Sequence, residues 1–99
     1  MYLFFDTETT GLPKHYNAPL SDSRNWPRMV QIAWLLADED GTERESRDYI
    51  IKPEGFVIPH QSVKIYGITT EKANEKGVQL ESVLNEFALT LARQSRKKN

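Results

Sequence analysis

Tyr2-Leu3-Phe4-Phe5 is a continuous apolar run rather than an alternating one. A run of this kind suits a strand covered on both faces, so a first strand over about residues 2–6 is expected in the middle of a sheet. Residues 13–28 are polar, with Pro13, Pro19 and Pro27 set among Asn17, Ser21, Asp22 and Asn25. Proline removes a backbone donor and the short polar side chains bond their own backbone, so this segment reads as a long loop. Met29-Val30-Gln31-Ile32-Ala33-Trp34-Leu35-Leu36-Ala37 forms a second apolar strand, and Asp40-Gly41 just beyond it is a strong hairpin signal. A third strand returns over about residues 43–52, polar at first and apolar at Tyr49-Ile50-Ile51, until Lys52-Pro53-Glu54-Gly55 ends it. The pattern predicts an antiparallel three-strand meander.

After an irregular stretch containing Pro59 and Gly67, Thr70 precedes a short polar helix over about residues 70–76, which Gly77 terminates. A long helix is expected over about residues 80–95, where Leu80, Val83, Leu84, Phe87, Ala88 and Leu91 recur at helical spacing. That stripe can lie across the meander. Arg93, Arg96, Lys97 and Lys98 are cations suited to a helix C-terminus, and so short a charge run reads as a solvated tail.

A chain of 99 residues supports one domain, residues 1–99, with a limited core. Lys and Arg total 13 against 14 Asp and Glu, so overall charge does not draw the chain to a polyanion and any nucleic-acid contact must be local. The absence of cysteine excludes disulfides, thiolate metal sites and thiol chemistry. There is no signal-peptide pattern, and no apolar stretch approaches the roughly 18 residues of a membrane span, so a cytoplasmic protein without a membrane partner is expected.

The chemistry concentrates at the end of the first strand. Asp6 and Glu8 lie two apart, so in a strand they share a face and can converge on a divalent cation that prefers hard oxygen ligands. Gly11 then lets the backbone turn sharply. Alone, Asp-x-Glu is a weak signal that also fits solvated acids at a strand end. Asp6-Thr7-Glu8-Thr9-Thr10-Gly11-Leu12 after an apolar strand is far more specific.

This heptapeptide resembles the first motif of the DnaQ-like 3′–5′ exonucleases, the DEDD family, which includes the proofreading subunit of bacterial replicases. The similarity continues through Val30-Gln31-Ile32-Ala33, Ile51-Lys52-Pro53 and Ile65-Tyr66-Gly67-Ile68-Thr69 to the helix around Leu84 to Phe87. It implies an α/β, ribonuclease-H-like exonuclease fold, truncated here to the meander and one long helix, with an unpaired edge on the first strand. It also implies metal-dependent hydrolysis of phosphodiester bonds at nucleic-acid 3′ ends, with Mg²⁺ or Mn²⁺ as cofactor. By the same resemblance Asp6 and Glu8 are catalytic residues and metal ligands, Thr9 meets the 3′-terminal sugar, and Leu12 presses on the terminal base. Expected partners are 3′ ends of single-stranded DNA or RNA, together with a separately encoded C-terminal half or a DNA polymerase subunit.

Family members carry two further aspartates and a His or Tyr general base after the long helix. This chain offers no counterpart to them: His15 and His60 precede that helix, and Tyr66 stands where the family usually has His. A two-ion site with its separation of roughly 3.5–4 Å is therefore expected to be at most partly formed. A non-catalytic nucleic-acid-binding module or an exonuclease remnant is the alternative. Trp34 is expected in the core; Trp26, in the polar loop, could stack on a base, although packing is the simpler expectation for both.

Overall fold

The computed structural model describes residues 1–22 and 24–96. Lys97 and Lys98 of the expected basic tail lie outside the described residues. The order of elements is β1 (Tyr2–Thr9), β2 (Met29–Ala37), β3 (Glu43–Ile50), α1 (His60–Tyr66), α2 (Thr70–Lys76) and α3 (Leu80–Arg96).

The three strands form an antiparallel meander in the order β1-β2-β3. The central strand is β2, not β1. The expectation that residues 2–6 sit mid-sheet is thus corrected: among the described residues β1 pairs on one side alone, and Phe4 and Phe5 are 58% and 63% exposed. A continuous apolar run records side-chain character on both faces of a strand, and it carries no information on whether both edges are paired. The strand also runs on to Thr9, so both carboxylates belong to it.

The β2–β3 turn forms around Asp40-Gly41, where the Asp38 amide donates to the Thr42 carbonyl at 2.8 Å and Gly41 takes a φ of 89°. That positive φ is the reason glycine serves there.

Along β2 the burial alternates, with Val30, Ile32, Trp34 and Leu36 buried. Ile32, Trp34, Ile51 and Val83 form one core cluster with Leu3, Tyr49, Leu80 and Phe87, which places α3 across one face of the sheet. Polar bonds fix its position. The Glu45 carboxylate accepts from Trp34 Nε1 and from the hydroxyl of fully buried Thr90, each at 3.0 Å. Nearby, Glu86 accepts from Tyr49 Oη and Arg47 Nε, each at 2.8 Å. The apolar stripe of α3 is wider than the sheet covers: Val83 is buried, whereas Leu84 and Leu91 remain exposed on its flank.

A second cluster, Val30, Ile58, Ile68 and Ala73 with Ile50, Phe56, Val63 and Tyr66, packs α1 and α2 against the start of β2. The helix α1 occupies what the sequence pattern leaves irregular. Pro59 precedes it in an extended conformation and Gly67 closes it at φ 75°, its amide donating to the Val63 carbonyl. Gly77 does more than end α2. A Cβ there would lie 2.2 Å from the Ala73 carbonyl oxygen and 2.6 Å from the Lys52 backbone nitrogen, so only glycine lets the chain pass. Val78 then bridges in parallel to Ile51.

Candidate active site

Leu3 packs beneath α3, and the Phe5 ring meets Phe87 edge-on at 5.9 Å, so the odd positions of β1 face the helix. By alternation Phe4, Asp6 and Glu8 occupy the opposite, open face. Asp6 is exposed and Glu8 half-buried. The register sets Asp6 opposite Ala33, which in turn lies opposite Asp48, while Glu8 lies opposite Gln31. The small Ala33 leaves a shallow concavity of about 390 Å³, lined by Phe4, Asp6, Leu35, Ser46 and Asp48 among others. Asp48 is held by the Gln31 side-chain amide at 2.8 Å, and Asp6 Oδ1 accepts from the Thr7 amide at 3.0 Å.

Immediately past Glu8 the ladder slips: Glu8 pairs with Gln31 but Thr9 pairs with Met29, leaving Val30 as the extra residue of a bulge. Bulges of this kind re-aim the strand that follows. Here Val30 drops into the second core cluster and β1 swings out into a turn. The Thr9 hydroxyl donates to the Gly11 carbonyl at 3.1 Å, and Gly11 itself takes a φ of 140°. Thr10 is tied to Arg28 twice, each bond 2.9 Å long: its amide donates to the Arg28 carbonyl and its hydroxyl accepts from the Arg28 amide.

From the other side α1 clamps the same turn. Tyr66 Oη donates to the Thr9 carbonyl at 3.1 Å, and Ser62 Oγ donates to the Thr10 carbonyl at 3.2 Å. The sequence pattern does not point to these two contacts; it marks Tyr66 only as standing where the family usually has His. The bracket of Pro59 and Gly67 around a helix-length segment is the signal for the helix that carries both residues.

The structure thus gathers Asp6, Glu8, Thr9 and Leu12 along one strand end and its turn. Leu12 stands 81% exposed. His15 and His60 are both exposed. Among the described residues no group of three or more His, Cys, Asp or Glu is assembled to hold a metal ion. Two carboxylates and open solvent suit one hard divalent ion that keeps several waters, and fall short of a two-ion cage.

The RNase_T exonuclease family model matches residues 3–97 of this chain. The chain belongs to that exonuclease family. Its members generally use divalent metal ions. No curated protein sequence matches the chain. Among solved structures, E. coli exonuclease I in complex with a dT13 oligonucleotide is similar at 25% identity and a TM-score of 0.65, over 86% of this chain and 17% of that one. E. coli exonuclease I in complex with a dA16 oligonucleotide is similar at 25% identity and a TM-score of 0.64, over 90% of this chain and 17% of that one. This exonuclease-family chain therefore spans less than a fifth of the length of those chains. It is an exonuclease-type domain in family and fold. Among the described residues no helix is long and apolar enough to cross a membrane.

Proposed function

We propose that this domain removes nucleotides from the 3′ ends of single-stranded DNA by metal-dependent hydrolysis, with Asp6 and Glu8 as the ligands of a Mg²⁺ or Mn²⁺ ion. The observation that carries this is the placement of both carboxylates on the open face of β1, directly before the bulge and the clamped turn, in a chain matched to the exonuclease family along nearly its whole length. The dT13 and dA16 oligonucleotides held by exonuclease I support DNA as the substrate.

A divalent ion held by Asp6 and Glu8 would supply charge stabilisation for the attacked phosphodiester and would lower the pKa of a water molecule. The chain's own residues orient the strand end. Thr9, fixed by its bond to Gly11 and by Tyr66, presents its backbone and hydroxyl to the terminal sugar. Leu12, standing free in solvent, offers an apolar surface to the terminal base. The free edge of β1 runs beside both carboxylates, and a strand from a further polypeptide, a C-terminal half or a polymerase subunit, would bring additional acids there.

One observation favours a second reading, a non-catalytic nucleic-acid-binding module: no third acid or histidine joins Asp6 and Glu8 among the described residues. A single assay separates the two. Labelled single-stranded DNA is incubated with the chain and Mg²⁺ or Mn²⁺, and compared with Asp6→Ala. Metal-dependent release of mononucleotides that disappears in the variant supports the enzyme; binding without release, unchanged by the substitution, supports the module.

A further inference from the structure

A cleft of about 620 Å³ opens directly beyond the carboxylate strand, its walls including Leu12, Lys14, Arg24, Trp26, Arg28 and Phe56. Three of these are cations, and no Asp or Glu lines the cleft. In a chain of net charge −1 that is a local reversal of sign. Lys14 and Arg24 are exposed, and among the described residues neither takes part in a salt bridge. Arg28 is held differently: its guanidinium lies 4.8 Å from the centre of the Phe56 ring and donates to the Glu54 carbonyl at 3.0 Å.

The loop that carries these cations is built to stay in place. Buried Asn25 accepts from the His15 amide at 2.7 Å and donates to the His15 carbonyl at 2.8 Å, pinning the two ends of the loop together. Trp26 is half-buried, with its indole nitrogen bonded to the Pro19 carbonyl at 2.8 Å. One edge of the ring is thereby anchored while the residue lines the cleft.

Cations in a groove beside aromatic rings are the chemistry that binds a single strand, phosphates to the charges and bases to the ring faces. We propose that this cleft seats single-stranded DNA on the 5′ side of the terminal nucleotide, with Lys14 and Arg24 paired to phosphates and Trp26 stacked on a base. The assignment rests on the exonuclease reading above, because the terminal nucleotide is placed at Asp6, Glu8 and Thr9. The cleft continues from that point through Thr10 and Leu12.

The test is fluorescence anisotropy of labelled dT13 with the full chain in chelator, which separates binding from hydrolysis. The double variant K14E/R24E is expected to weaken binding by about tenfold or more and to reduce the slope of log K against log salt by about 1.4, two phosphate contacts on a single strand. Trp26→Ala is expected to weaken binding about tenfold and leave that slope unchanged, as a stacking contact should. Lys14 and Arg24 are exposed, so K14E/R24E keeps the wild-type urea midpoint and its lost affinity reports on binding alone.

Wild-type affinity and slope in K14E/R24E would overturn the proposal. So would failure of the wild-type chain to bind dT13, or binding of an oligouridine of equal length as tight as dT13, which would remove the assignment to DNA. The exonuclease reading is judged separately by nucleotide release from a dinucleotide, too short to enter the cleft. Release without cleft binding sinks the cleft alone; loss of both sinks both.

Discussion

Replacing Glu45 with alanine should loosen α3 from the sheet. The carboxylate is 17% exposed and accepts from Trp34 Nε1 and Thr90 Oγ1, each at 3.0 Å, and from Arg93 at 3.4 Å. Hydrogen bonds to a charged group contribute about 1.5–3 kcal/mol each. The two short ones come from residues with almost no exposure, so alanine strands two buried donors. Counting only those two, the loss is about 3–6 kcal/mol, a large share of the 5–15 kcal/mol that holds a domain folded. Urea unfolding followed by tryptophan fluorescence at neutral pH measures it, and Glu45→Gln, which keeps an acceptor, should lose roughly half as much. The same network makes stability depend on pH. The Trp34 bond, then the Thr90 bond and the charges of Arg47 and Arg93, hold the Glu45 carboxyl below its ordinary value of 4.5 against the opposing effect of burial. A folded-state pKa below the unfolded one means that the unfolded chain binds the proton more tightly. The contribution is therefore complete above about pH 4.5 and is lost as pH falls through the folded value. Glu45→Gln should flatten that acid limb. A cost below about 1 kcal/mol for the alanine variant, or an acid limb unchanged in the glutamine variant, would refute the reasoning.

Further expectations follow from other contacts. Gly77→Ala forces a Cβ into the Ala73 and Lys52 backbone and should destabilise by about 1–3 kcal/mol with loss of the Ile51–Val78 bridge, read by urea unfolding and by amide exchange at Val78. Tyr66→Phe removes the bond to the Thr9 carbonyl and should cost about 1 kcal/mol in the same unfolding measurement; an unchanged midpoint would show that α1 does not clamp the turn. The free edge of β1, with Tyr2, Phe4 and Phe5 exposed, should drive concentration-dependent association, and Phe4→Lys should suppress it in light scattering. A wild-type chain that stays monomeric at high concentration would count against an open edge.

The meander was legible because each of its parts carries a local signal: apolar runs at residues 2–5 and 29–37, and a turn at Asp40-Gly41 whose φ of 89° demands glycine. The placement of β1 at an edge came from the family resemblance alone, since Phe4 and Phe5 look the same in sequence whether a neighbouring strand covers them or solvent does. The helix α1 was hidden by its brevity and by Ile65, which is exposed and blurs the apolar face. The positions of Asp6 and Glu8 on one face followed directly from strand alternation. The clamp by Ser62 and Tyr66 did not, because it joins residues more than fifty positions apart through backbone carbonyls, which leave no trace in side-chain pattern. The cationic cleft was equally hidden, since Lys14, Arg24 and Arg28 meet only when the loop is pinned by Asn25.

The most direct test of the central claim is nucleotide release from 3′-labelled single-stranded DNA, measured with Mg²⁺ or Mn²⁺ and with chelator, for the wild-type chain and for Asp6→Ala and Glu8→Ala. Release that requires the metal and vanishes in both variants is the predicted result. Release that persists in chelator or in either variant, or binding with no release under any condition, would contradict the account.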